Sequence, residues 1–280
     1  MRSPCPGAAP MTSTRNADHA PRFRQLHAQG VLRITNAWDA GSARLIESMG
    51  AQAIATTSAG VAWSCGHADG DRLPFALLLA RVAEIVPAIR VPLSVDTEGG
   101  YSDDPQVVAA HVVQMAELGV VGINLEDGAG TPDLLCAKIA AIKQALAARG
   151  LDVYINARTD VYLRGLAPAE QRPDAVLERA ARYAEAGADG LFVPGLVDPN
   201  QIRTIAGGTA LPLNVMLRPA LPALDELAAL GVRRLSAGSD LAEAMYAHIG
   251  SLAAEFLQQG RTAAGPRMDY GKINALFDAR

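Results

Sequence analysis

One recurring phrase constrains the fold of this chain more than any other feature: a helix end, a glycine, then a short apolar run. It reads S-M-G-A-Q-A-I at 48–54, E-L-G-V-V-G-I at 117–123, E-A-G-A-D-G-L at 185–191 and A-L-G-V-R-R-L at 229–235. The glycine suits the left-handed residue that closes a helix. The apolar run suits a strand covered on both faces. Strand-like runs fall at 31–35, 51–57, 91–95, 120–125, 153–157, 190–193, 213–216 and 234–236. Helical patterns alternate with them at 42–49, 74–88, 105–118, 132–149, 173–186, 199–206, 221–230 and 239–259, several opening on or near proline, which is favoured in a first helical turn. Eight strand–helix units predict an α/β fold, a (β/α)8 barrel with an additional C-terminal helical segment. A doubly wound open sheet would call for G-x-G-x-x-G after the first strand, and none is there.

With 280 residues, half of them hydrophobic, the chain can bury a large core in a single domain, expected over 21–280. Residues 1–20 are rich in Pro, Ala, Ser and Thr and predict a disordered tail. The net charge of −4, without a basic block, argues against nucleic acid or an anionic membrane as partner. No apolar run approaches the ~20 residues of a membrane span, and the N-terminus has no apolar signal region. Cys5, Cys65 and Cys136 are odd in number and unpaired in spacing, which predicts reduced thiols in a cytoplasmic protein.

All strand C-termini of such a barrel meet at one face, where these folds do their chemistry. Asp96 and Glu98 close the third strand in V-D-T-E-G-G-Y, Glu126 and Asp127 the fourth in N-L-E-D-G, and Arg158 and Asp160 the fifth in N-A-R-T-D. Asp96 and Glu98, two apart, point the same way in an extended segment. With Glu126 from the next strand they form a carboxylate set suited to Mg2+, which takes a few acids plus waters and substrate oxygens. Taken singly, each could instead cap a helix or pair with a surface cation. Arg158, at the end of a buried strand, needs an anionic partner: a substrate carboxylate, or an ion pair with Glu126 or Asp127. Ser58, Ala59 and Gly60 follow the second strand and could present backbone N–H groups to an anion, or form a plain turn. Trp38 could wall a pocket, and Asn214 could donate to a carboxylate oxygen. His67 lacks the spacing of a metal site.

Together these phrases resemble the isocitrate lyase / phosphoenolpyruvate mutase superfamily. The resemblance runs from about Val31 to Ala247 and rests on N-A-W-D-A-G-S-A, T-T-S-A-G, A-D-G, V-D-T-E-G-G-Y, N-L-E-D-G, N-A-R-T-D and P-L-N-V-M, in that order. It implies a (β/α)8 barrel, Mg2+ (with Mn2+ as a substitute) and an α-oxycarboxylate substrate passing through an enolate-like intermediate. By motif position Asp96 would ligate the metal, while Asp69, Glu98 and Glu126 would hold its waters. Arg158 would bind the substrate carboxylate, Ser58, Ala59 and Gly60 would offer donors, and Trp38 would line the pocket. The resemblance also implies a homo-oligomer, a tetramer or dimer, that exchanges its last helix. The chain departs from the family where isocitrate and methylisocitrate lyases carry K-[KR]-C-G-H after the fourth strand; here that connection is D-G-A-G-T-P-D. Cys65-Gly66-His67 lies in a different loop, the mutase-type gating loop is missing, and Glu98 stands where many relatives have Asp. The expected activity is therefore a Mg2+-dependent lyase that cleaves a C–C bond in, or decarboxylates, a small 2-oxo or 2-hydroxy carboxylate. The alternatives are P–C bond chemistry on a phosphonopyruvate-like substrate and non-catalytic carboxylate binding. A Schiff-base aldolase fits poorly, since none of Lys138, Lys143 and Lys272 ends a predicted strand.

Overall fold

The computed structural model describes residues 12–262 and 265–278. Eight parallel strands close into one barrel in sequential order: β1 (Leu32–Ala37), β2 (Ile54–Thr56), β3 (Leu93–Asp96), β4 (Gly122–Glu126), β5 (Tyr154–Arg158), β6 (Gly190–Phe192), β7 (Leu213–Met216) and β8 (Val232–Ser236). β8 returns to β1 with Arg234 level with Leu32, so no edge is left open. The expected (β/α)8 architecture is the one observed. The helices are α1 (Thr12–Leu26), α2 (Ala40–Ser48), α3 (Ser58–Ser64), α4 (Phe75–Ala88), α5 (Pro105–Leu118), α6 (Pro132–Ala147), α7 (Arg172–Ala186), α8 (Pro199–Gly208), α9 (Leu224–Ala229), α10 (Asp240–Gln259) and α11 (Tyr270–Asp278).

The sequence logic of the repeat is visible in the caps. Gly119 and Gly187 end α5 and α7 at φ 109° and 106°, a backbone region that side chains avoid. Each then releases the chain directly into a strand of fully buried apolar residues such as Ile123 and Leu191.

The expected tail differs from the structure. Residues 12–20 belong to α1, and residues 1–11 lie outside the described part. The polar composition of α1 hides three anchors. The Asn16 side chain donates to the carbonyls of Val120 (2.8 Å) and Asp152 (2.9 Å). Arg24 pairs with Asp152 and Asp189 at 2.6 and 2.7 Å. Phe23, fully buried, joins Leu32, Ile34, Val121 and Tyr154 in a second core. These bonds reach across more than a hundred residues of sequence, so no local pattern announces them. At the other end, α10 buries only Ala242 and exposes Ile249, Phe256 and Leu257, while α11 exposes Tyr270 and Ile273.

Candidate active site

The ends of β3, β4 and β5 lie side by side, with Asp96 level with Asn124 and Glu126 level with Arg158. This register puts the acids and the guanidinium at one face. Asp96 is 9 % exposed; its Oδ1 accepts the Glu98 N–H at 3.2 Å, and its own N–H donates to Thr56 Oγ1 at 2.9 Å. Glu98 has φ 48°, so the chain turns at once after β3 instead of staying extended. Its Oε1 accepts from Tyr101 at 3.0 Å, and its Oε2 accepts from the N–H of Asp71. Tyr101 (φ 61°) and Asp71 (φ 57°) also hold left-handed backbone, a costly conformation for non-glycine residues that tends to persist where function requires it. Lys138 of α6, almost fully buried, donates to the Gly99 carbonyl at 2.8 Å and steadies this turn from behind.

Among the described residues Arg158 is the one cation paired with an acid of the proposed set. Its Nη1 meets Glu126 at 2.6 Å, and its Nε and Nη2 grip Asp160 at 2.7 and 3.1 Å. Asp160 is held further by Arg164 at 3.0 Å. Asp127, which sequence reasoning offered as a partner of Arg158, instead receives Arg179 and Tyr183, both at 2.6 Å, and the Asp160 N–H at 3.0 Å. Asp127 is therefore a structural anchor between α7 and the barrel.

The electrostatics show one cation too few. Burial raises the Asp96 carboxyl above its ordinary range, with Arg158 opposing and Asp69 adding to the rise. Burial lifts Glu98 to about 7, with Asp96, Asp69 and Asp71 contributing. Burial lifts Glu126 to about 8 despite Arg158, with Asp96, Asp160 and Glu98 contributing. Arg158 is raised as well, since its acids outweigh its own burial. Arg158 serves Asp96, Glu126 and Asp160, Arg164 reaches only Asp160, and no cation is among the main influences on Glu98, so the carboxylates remain under-compensated. Asp69 is exposed yet close enough to act on Asp96 and Glu98, so the four acids singled out from sequence do share one region. Their all-oxygen donor set fits a hard divalent cation. Among the described residues no group of three or more acid, histidine or cysteine side chains is already placed to hold a metal ion.

The remaining predicted residues divide. Ser58, Ala59 and Gly60 form the first turn of α3 rather than a loop. Their N–H groups come before any helical acceptor. A Cβ on Gly60 would lie 2.7 Å from Thr57 Cγ2 and 3.0 Å from Trp38 Cβ, so Trp38 and this turn are packed together. Asn214 corrects the expectation of a substrate donor. It is fully buried inside the barrel, its amide nitrogen bonded to the Val215 carbonyl at 2.6 Å and Ser236 Oγ at 3.1 Å. An asparagine two residues before the strand end faces inward, a distinction of register that the motif alone does not carry. Sequence reasoning missed Tyr101 and Asp71, whose signal was the G-G-Y phrase and its sharp turn.

Beside Glu126 a cleft of about 230 Å3 is lined by the 127–131 connection, Leu135, Lys138 and Arg164. No cysteine lines it. Cys65 ends α3 and meets Arg81 at 3.6 Å; Cys136 donates to the Arg182 carbonyl at 3.6 Å, between α6 and α7. Both are half-buried. Alanine at either position is expected to leave turnover within a few-fold of wild type. A hundredfold loss in a folded Cys65→Ala protein would place the proton donor on α3.

The closed eight-stranded barrel with a carboxylate cluster and Arg158 at the strand C-termini is the (β/α)8 class. The particular family follows from comparison with known proteins. The model of the phosphoenolpyruvate phosphomutase family matches residues 23–257, and the chain belongs to that family. An uncharacterized protein of Mycobacterium tuberculosis is 42 % identical over 78 % of this chain and 81 % of its own length. The phosphoenolpyruvate phosphomutase of Streptomyces hygroscopicus is 31 % identical over 79 % of this chain and 74 % of its own. Oxaloacetate decarboxylase 1 of Pseudomonas fluorescens is 28 % identical over 80 % and 79 %. A crystal structure from Burkholderia cenocepacia, provisionally named a lyase/mutase, superposes with a TM-score of 0.84 at 37 % identity, covering 95 % of this chain and 98 % of that one. The family thus holds both lyases and a mutase. Identity near 30 % to each does not separate them.

Proposed function

We propose that this protein is a Mg2+-dependent lyase, with Mn2+ able to substitute, that cleaves a C–C bond in, or decarboxylates, a small 2-oxo or 2-hydroxy carboxylate through an enolate-like intermediate. The observation that carries the reading is the under-compensated acid cluster around Arg158. Asp96 would hold the ion directly, and Glu98, Glu126 and Asp69 would hold it through water. When bound, a divalent cation supplies Lewis acidity toward negative charge growing on substrate oxygens. Arg158 orients the substrate carboxylate with the guanidinium edge not taken by Asp160. The N–H groups of Ser58, Ala59 and Gly60 offer further donors to an oxyanion, and Trp38 walls that side. Tyr101 and Lys138 fix the turn that carries Glu98.

P–C bond chemistry is the second reading, supported by the similarity to the Streptomyces mutase. Non-catalytic carboxylate binding is the third. Turnover of oxaloacetate, 2,3-dimethylmalate, 2-methylisocitrate and phosphonopyruvate, each with Mg2+ and with chelator, distinguishes them. A lyase turns over at least one of the first two, and chelator abolishes it. Turnover of phosphonopyruvate alone favours the second reading, and oxalate binding without turnover of any favours the third. Cleavage of 2-methylisocitrate is expected to be negligible, because the connection from Asp127 to the start of α6 has no cysteine. Robust cleavage would show that another acid delivers the proton.

The proposal extends to a cytoplasmic homo-oligomer. Ile249, Phe256 and Leu257 on α10 and Tyr270 on α11 are exposed in the single chain, and large apolar side chains left exposed together on a terminal helix are often covered by a partner. Sedimentation analysis is expected to show a dimer or tetramer; a monomer at micromolar concentration would refute this.

A further inference from the structure

Inside the barrel, beyond Asn124 from Asp96, lies a second polar cluster that the proposed reaction does not use. Its centre is Arg234 of β8, 1 % exposed. By register it lies level with Leu32, the first residue of β1. Burial lowers its guanidinium to about 10, so it is still charged at neutral pH. Among the described residues it makes one hydrogen bond, a long one of 3.4 Å from Nη2 to Asn124 Oδ1, and it forms no ion pair. Nε and Nη1 are buried with no acceptor. Asp96 acts on it without forming an ion pair, and a buried charge compensated only at a distance is disfavoured.

The neighbours share the deficit. Tyr154 Oη, Ser94 Oγ and Asn156 Oδ1 are also buried without partners. Ser94, Gly122 and Tyr154 lie in register across β3, β4 and β5, so their polar groups occupy one layer. Asn156 donates to the same Asn124 Oδ1 that Arg234 reaches, at 2.9 Å. A Cβ on Gly190 would lie 2.4 Å from Tyr154 Oη and 2.9 Å from Asn156 Oδ1, so both atoms converge on the space that glycine leaves. Donors dominate this set. Arg234 contributes Nε and Nη1, and the Tyr154 and Ser94 hydroxyls can each donate, while Asn156 Oδ1 and His27 Nε2, whose ring donates through Nδ1 to the Phe23 carbonyl, are limited to accepting. Aromatic residues seal the layer from outside: Phe23 stands edge-on to Tyr154 at 5.7 Å and His27 stacks on it at 4.2 Å.

We propose that the barrel interior holds one small monovalent anion of chloride type, bound by Arg234 Nε and Nη1 with the Tyr154 and Ser94 hydroxyls, and that it stabilises the fold. An anion supplies both the missing charge and the missing acceptors; water supplies only the acceptors.

The test uses the full-length protein at fixed ionic strength, exchanging sodium gluconate for sodium chloride. Wild type is expected to gain several degrees in Tm, saturably, as binding to the native state alone requires. Arg234→Met is expected to lose the chloride dependence, and a crystal grown in bromide is expected to show an anomalous peak at Arg234. An equal Tm in chloride and gluconate, or water alone at that position, overturns the proposal. If Arg234→Met does not fold, the wild-type exchange and the bromide crystal decide by themselves.

Discussion

Replacing Asp96 with asparagine is expected to lower turnover about a thousandfold while leaving the metal-free protein at least as stable as wild type. The two effects have opposite signs for one reason. Asp96 is a buried carboxylate whose charge is opposed by burial and by Asp69, and only partly relieved by Arg158. Asparagine keeps the shape and removes that charge, so the metal-free fold loses an unfavourable term. The same charge is what a hard cation needs. Losing about 4 kcal/mol of transition-state stabilisation corresponds to the thousandfold drop. The cation should therefore raise the wild-type Tm and not that of Asp96→Asn. This increment should depend on pH. Glu98 and Glu126 titrate near 7 and 8 in the fold, against an ordinary 4.5. Their protonation favours the metal-free fold below 4.5, and that contribution is lost as pH rises through 7 to 8. Cation binding needs them ionised, so the Mg2+ increment should be larger at about pH 8.5 than at about pH 6. Near-wild-type turnover by a folded Asp96→Asn protein would sink the metal reading.

The barrel was legible in the sequence because its signals are local and repeated. A glycine cap followed by an apolar run needs no long-range information, and strand positions read from it miss the observed bounds by only a residue or two at most ends. The carboxylates were legible because strand ends are legible. What the sequence hid depends on contacts between distant residues. α1 looks like a polar tail until Asn16 is seen bonded to Val120 and Asp152. Ser58 to Gly60 read as a loop, since a seven-residue helix that opens on Ser-Ala-Gly carries little helical pattern. Asn214 and Arg234 are polar residues in strands, and only the closed barrel shows that both face the interior. Asp127 and Asp160 differ from Glu126 in the same way: the motif places all three at strand ends, but the partners that occupy Asp127 come from α7.

Substituting Arg158 by lysine is expected to raise KM at least tenfold and lower kcat/KM roughly a hundredfold, about 2.7 kcal/mol. Charge is conserved, so the effect isolates geometry. The guanidinium spans two sites at once, Asp160 through Nε and Nη2 and Glu126 through Nη1. That leaves its outer N–H groups held in a fixed plane, the arrangement that matches a carboxylate at two points. A lysine ammonium can serve Glu126 or Asp160 but has no planar fork, and a substrate carboxylate must then compete with both acids for one charge. Stability reports on the acids separately. Lysine still offsets part of the buried negative charge, so the Tm should fall modestly, whereas Arg158→Met removes the cation that bridges Glu126 and Asp160 and should cost about 3–5 kcal/mol. If Arg158→Lys shows a lowered Tm with unchanged KM and kcat, the arginine serves only its two carboxylates, and the substrate's anionic group is held elsewhere at the barrel mouth.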